Sequence, residues 1–136
     1  MRGLILAGVV LGWIVARPAA GPERVIEILA DKDSSYRMAG QAHPELRLKA
    51  GETVTLRITA RKAKTGNRDG SVHGFALLRA KDRLPVAGWN LFLKPGTEDF
   101  HLTAPTEPGE YVVVCTVICS EHHEQMHMKV TVTAAD

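Results

Sequence analysis

The chain has 136 residues, of which 45% are hydrophobic and 24% charged, and its formal net charge is +2. That size suits one domain with a single core, and the composition is that of a globular protein rather than a disordered one. The charge is too small to imply nucleic acid, and no basic cluster is interleaved with aromatics, so nucleic acid is not expected as a partner.

At the N-terminus Arg2 precedes an uncharged run from Gly3 to Ala16, followed by Arg17-Pro18-Ala19-Ala20-Gly21-Pro22. Fourteen helical residues reach about 21 Å, against about 30 Å for a bilayer's hydrocarbon core. That length suits a signal-peptide core, with Pro18-Ala19-Ala20 as a small-residue cleavage context. Trp13, near the end of the run, suits a membrane interface. Residues 1–22 are therefore read as one hydrophobic helix with a short linker that anchors the protein, with a cleaved signal as the alternative. Both readings put residues 23–136 outside the cytoplasm.

From Glu23 onward the pattern is β. Arg24 to Ala30 is rich in Val, Ile and Leu, and Leu46 and Leu48 alternate with charge before Gly51. Val54, Leu56 and Ile58 alternate with Thr55, Arg57 and Thr59, the period of a half-buried strand. Further strands are expected over Val72–Leu78, Asn90–Leu93, Phe100–Thr103, Tyr111–Cys115 and Met126–Thr133, punctuated by Gly, Pro and Asp. Arg61–Gly70 and Arg79–Pro85 read as polar loops. Short strands at this spacing predict an antiparallel sandwich.

The chemistry sits between the last two strands, where Cys115 to Met126 reads C-T-V-I-C-S-E-H-H-E-Q-M. Thiolate and thioether select copper(I), zinc or iron–sulfur centres, while imidazole suits copper and zinc. A C-x3-C-x3-H-x2-M spacing is not that of a zinc finger, which omits methionine, so the thioether points to copper. Cys115 ends one strand and Met126 begins the next, with Met128, Val130 and Val132 on the same face as Met126. A loop pinned at both ends is what a preorganised metal site requires. A further ligand from another strand is expected, and His73, inside Val72-His73-Gly74-Phe75-Ala76-Leu77, is the candidate, with Gly74 leaving room beside it.

The plainer readings differ residue by residue. A Cys115–Cys119 disulfide is the ordinary fate of two exported cysteines, but it leaves the neighbouring His and Met unexplained. His73 alone would be a satisfied core histidine, and the loop downstream is what raises it to a ligand. His122 and His127 read as solvent-facing neighbours and Met128 as core packing, while His43 and His101 carry no signal. Glu107, Glu110, Glu121 and Glu124 form a solvated rim that would also steer a basic partner.

Residues 24–133 resemble the cupredoxin domain of the binuclear-copper (CuA) kind, found in subunit II of haem–copper oxidases (the cytochrome c oxidase subunit II family) and at the end of nitrous oxide reductase. The family's upstream histidine followed by C-x3-C-x3-H-x2-M is matched by His73, Cys115, Cys119, His123 and Met126. The resemblance implies an all-β, cupredoxin-like Greek-key sandwich holding two coppers. Cys115 and Cys119 would be bridging thiolates, His73 and His123 terminal ligands, Met126 a weak axial ligand and the Val117 backbone carbonyl the other weak ligand.

The role implied is electron transfer, with electrons accepted from a cytochrome c or a cupredoxin. They would pass to a haem–copper catalytic subunit, or to other subunits of a respiratory complex, at the periplasmic face of a bacterial cytoplasmic membrane. No catalysis is expected of this chain alone. A stand-alone periplasmic copper-binding or copper-handling protein is the alternative class, soluble if the signal is cleaved. A mononuclear blue-copper protein comes third, because it would leave a thiolate unused.

There are departures from the family. Mitochondrial-type members carry a glutamate between the cysteines that also serves a magnesium site, and Val117 cannot do this. Their aromatic electron-entry cluster is missing, with only Tyr36 in the corresponding region, and the catalytic propeller of nitrous oxide reductase is absent. The His73-Gly74-Phe75 context and the single possible anchor look more like the one-helix subunit II of ba3-type oxidases, with Arg79–Ala87 as an insertion.

Overall fold

A computed structural model describes residues 12–13 and 22–136. The expected N-terminal helix falls outside the described residues, among which no helix is long and apolar enough to cross a membrane. Nine strands lie among the described residues: β1 Arg24–Ala30, β2 Tyr36–Arg37, β3 Glu45–Lys49, β4 Thr53–Ala60, β5 His73–Arg79, β6 Pro85–Leu93, β7 Gly96–Thr103, β8 Gly109–Val114 and β9 His127–Thr133. A single 3-10 turn, His123–Gln125, lies between the last two.

The strands form a four-stranded sheet in the order β2-β1-β4-β7 and a five-stranded sheet in the order β3-β9-β8-β5-β6. The all-β sandwich expected from the sequence is thus observed, although its sheets are mixed. β1 pairs with β4 in parallel and so does β3 with β9, the remaining pairings being antiparallel. Each parallel pair joins strands with another strand between them in the chain, which a run of hairpins cannot do.

Alternation explains the core. Val54, Leu56, Ile58 and Ala60 of β4 face Met128, Val130 and Val132 of β9 across the sandwich, together with Leu46, Leu48, Phe75, Leu77 and Val113. The intervening Arg57, Lys129 and Thr133 lie at the surface. Trp89, 1% exposed, reaches from edge strand β6 and donates from Nε1 to the Thr103 carbonyl of edge strand β7 at 2.8 Å. It thereby ties one border of the five-stranded sheet to the border of the other. This closed frame fixes the two strand ends, of β5 and β8, from which the site is built.

Candidate metal centre

His73 is the first residue of β5 and Cys115 follows the last residue of β8, the strand that β5 pairs with. Met126 immediately precedes β9, and the Cys115 N–H donates to the Met126 carbonyl at 3.2 Å, closing the base of the loop. The loop's two ends are therefore clamped to each other by the β8–β9 ladder.

One ring nitrogen of His73 and the sulfurs of Cys115 and Cys119 lie within 4.8 Å of one another, and all three residues are buried. The two sulfurs are 3.8 Å apart and both cysteines are free. The alternative of a disulfide is therefore not what the structure contains. Met126, 1% exposed, brings its Sδ to 4.0 Å from Cys119 Sγ, and the Val117 carbonyl lies 3.1 Å from Cys115 Sγ.

His123 is the exception among the expected ligands. It belongs to no comparably close group among the described residues, and its Nδ1 lies 3.3 Å from the Ser120 carbonyl. His122 and His127 are exposed and Met128 is packed in the core, as expected.

Electrostatics favour neutral, soft donors. His73 Nε2 lies 2.7 Å from the Arg61 carbonyl. A carbonyl only accepts, so Nε2 carries the hydrogen and Nδ1 keeps a lone pair. That Nδ1 is buried and has no partner. Burial holds the imidazole below its ordinary pKa, against the Arg61 carbonyl, which works the other way. An unprotonated, orphaned nitrogen beside two sulfurs is a donor set in want of an acceptor, and the set fits a soft metal ion. Burial also pushes the Cys115 thiol up, although the Gly74 N–H, 3.3 Å from its sulfur, favours the thiolate.

Several supporting residues carry no signal in the sequence. Tyr36 hydrogen-bonds the Gly74 carbonyl and packs edge-on to Phe75, with ring centroids 5.5 Å apart. Burial, with the Cys115 and Cys119 sulfurs next to it, holds the Tyr36 hydroxyl well above its ordinary pKa, so it stays a donor. Lys64 and Thr65 both donate their N–H groups to the Cys119 carbonyl, at 3.0 and 2.9 Å, and the Thr65 hydroxyl donates to the Ile118 carbonyl at 2.6 Å. The polar loop after β4 is thus a strap across the ligand loop. Ser34 and Ser120 lie buried on the far side of Cys119.

No family model and no curated protein matches the chain. Among solved structures, auracyanin A, a "blue" copper protein from the green thermophilic photosynthetic bacterium Chloroflexus aurantiacus, is similar at 25% identity, with 80% of this chain and 98% of that one covered and a TM-score of 0.53. A dithionite-reduced auracyanin from the photosynthetic bacterium Roseiflexus castenholzii matches at 21% identity over 83% of this chain and 99% of that one, with a TM-score of 0.54. A chain of a haem–copper terminal oxidase dimer matches at 18% identity over 82% of this chain and 66% of that one, also with a TM-score of 0.54. The fold is the cupredoxin fold. On it, the group of His73, Cys115 and Cys119 joins the first residue of β5 to the loop that the sequence singles out.

Proposed function

We propose that this chain is a copper electron-transfer protein whose Cys115–Met126 loop and His73 hold a binuclear centre. In this reading it is the subunit II-like electron-entry component of a haem–copper oxidase or a related respiratory complex. The observation that carries the proposal is the compact group itself: two free sulfurs 3.8 Å apart, beside a buried histidine nitrogen with no partner. Cys115 and Cys119 would supply thiolates, His73 and His123 imidazole nitrogens, Met126 a thioether and Val117 a backbone carbonyl. Bound copper would supply a one-electron couple, shared between two metals. The protein's part is to hold its donors in place. β5 and β8 fix His73 and Cys115, the β8–β9 ladder fixes Met126, and the buried pocket excludes the water that would otherwise reorganise around a change of charge.

The proposed setting is the periplasmic face of a bacterial cytoplasmic membrane, with residues 1–22 as the anchor and residues 23–136 as the copper domain. The donor would be a cytochrome c or a cupredoxin. A second reading, a copper carrier that works without an oxidase, has one observation in its favour. The similar structures include auracyanin A, a "blue" copper protein, at 25% identity. Copper analysis with electron paramagnetic resonance tests the centre. About two coppers sharing one spin are expected, and one copper with a four-line hyperfine pattern would sink the binuclear reading. Purifying the native protein and identifying co-migrating subunits separates subunit from carrier.

A further inference from the structure

Ser34 is, with Arg83, one of two described non-glycine residues with a positive φ, at 58°, and it is 7% exposed. It lies in the turn between β1 and β2, where its N–H donates to the Asp31 carbonyl at 3.1 Å while the Asp31 N–H donates to the Ser35 carbonyl at 2.9 Å. Left-handed backbone is uncommon for serine, so the turn holds this residue in an uncommon conformation. The conformation sets the Ser34 hydroxyl 2.6 Å from the Ser120 hydroxyl and 3.5 Å from Cys119 Sγ. Ser120 Oγ in turn accepts the His122 N–H at 3.1 Å. These atoms form a row: His122 nitrogen, Ser120 oxygen, Ser34 oxygen, Cys119 sulfur.

We infer that Ser34 is a positioning residue for the proposed copper centre, donating its hydroxyl hydrogen to the Cys119 thiolate and thereby raising the centre's reduction potential. The inference rests on the copper reading above. With Cys119 as a thiol, the S–H donates to Ser34 and the Ser34 hydroxyl donates on to Ser120. A metal-bound sulfur has released its proton to solvent and can only accept. The Ser34 hydroxyl then turns to the sulfur, and the Ser120 hydroxyl, still accepting from His122, donates into Ser34. Ser34 keeps both Cys119 and Ser120 as partners in either arrangement, and only hydrogens reverse. A chain polarised in one direction strengthens its terminal bond. Hydrogen bonds to a ligand sulfur withdraw charge from it and favour the reduced metal. Cys115 receives the equivalent bond from the Gly74 backbone N–H; at Cys119 the donor is a side chain that can be removed.

Glycine and alanine at position 34 separate hydroxyl from backbone. Both lack the hydroxyl, but only glycine accepts the positive φ without strain. Copper is loaded into the full-length wild type, Ser34→Gly, Ser34→Ala and Ser120→Ala chains, and the midpoint potential, the sulfur-to-copper absorption band and apo melting are read. Both Ser34 variants should move the equilibrium with a one-electron reference couple toward oxidised protein equally, by about tenfold, a fall of about 59 mV. Both should shift the band, and Ser34→Ala alone should lose apo stability relative to Ser34→Gly. Ser120→Ala should shift the potential in the same direction by less. A Ser34→Gly chain with wild-type potential and band overturns the inference, whatever its melting point. If neither Ser34 variant folds, Ser120→Ala decides, since an unchanged potential there also overturns it. A wild type that takes up no copper overturns the copper reading itself, an outcome distinct from the other two.

Discussion

A Cβ built on Gly74 would lie 2.1 Å from the Thr116 hydroxyl oxygen and 2.5 Å from the Thr116 backbone nitrogen. The nitrogen cannot move without shifting the chain next to Cys115, so Gly74→Ala must displace one wall of the site. Overpacking of this kind costs about 3 kcal/mol. The urea midpoint should fall accordingly with an unchanged slope, and a midpoint within error of wild type would show that the strand relaxes freely.

The proposed ligands should rank. Cys115→Ser or Cys119→Ser removes one of the two thiolates proposed to hold the copper pair and should abolish the proposed binuclear signal. Met126→Leu fills the same buried volume at a cost below about 1.5 kcal/mol and should keep the signal while moving the potential. Equal copper loss in all three variants would contradict the assigned roles. Cys115, Cys119 and Met126 are legible in the sequence because their relation is local spacing. Ser34 is not, since it reaches Cys119 across 85 positions and a serine in a polar turn signals nothing. The withdrawal of His123 from the tight group is likewise a matter of loop conformation that spacing does not encode.

The element that carries most of the loop's restraint outside the strands is the strap from Arg61 to Val72. Its backbone grips Cys119 with two N–H groups, its Thr65 hydroxyl grips Ile118, and its Arg61 carbonyl fixes the His73 tautomer. Thr65→Val keeps the shape and removes one bond to an exposed residue, so global stability should change by about 1 kcal/mol or less. Local opening should respond more, with amide exchange in residues 119–126 speeding up while the β8 and β9 amides stay protected. Unchanged exchange in the loop would mean that the backbone bonds to Cys119 suffice.

Strands β4 and β9 are readable because their alternation spans a whole element. The edges are less so. β2 is two residues long, β6 begins at Pro85, and β7 begins at Gly96 with few apolar residues. Proline at the first position of an edge strand removes no ladder bond, yet in sequence it reads as a break. The parallel pairings are invisible for a different reason, since period-two patterning fixes which face is buried and not which strand lies alongside.

At the scale of the whole molecule, the site is where non-local topology meets a local loop. The loop supplies Cys115, Cys119 and Met126 from one short stretch, whereas His73 enters from β5, 42 residues before Cys115. A complete donor set therefore exists only after β5 has paired with β8, and metal binding is coupled to folding. A ligand that binds only the native state stabilises it by RT ln(1 + [L]/Kd), about 4 kcal/mol at a thousandfold excess over Kd. His73→Ala should lose much of this copper-dependent gain and disturb the spectrum. The residue is fully buried rather than at the rim of the core, so the apo protein also pays: the Arg61 carbonyl loses its donor, at about 1–3 kcal/mol. The informative quantity is consequently the difference between the copper-loaded and apo melting temperatures of each variant, in which that cost cancels. His122→Ala is the control. Its imidazole is 69% exposed and its nearest acidic group, on Glu121, is 3.6 Å away, while the backbone N–H that reaches Ser120 survives the substitution. It should keep both the apo melting temperature and the copper-dependent shift. If His122→Ala loses the shift and His73→Ala keeps it, the β5 histidine is a core residue and His122 takes the donor role assigned to it.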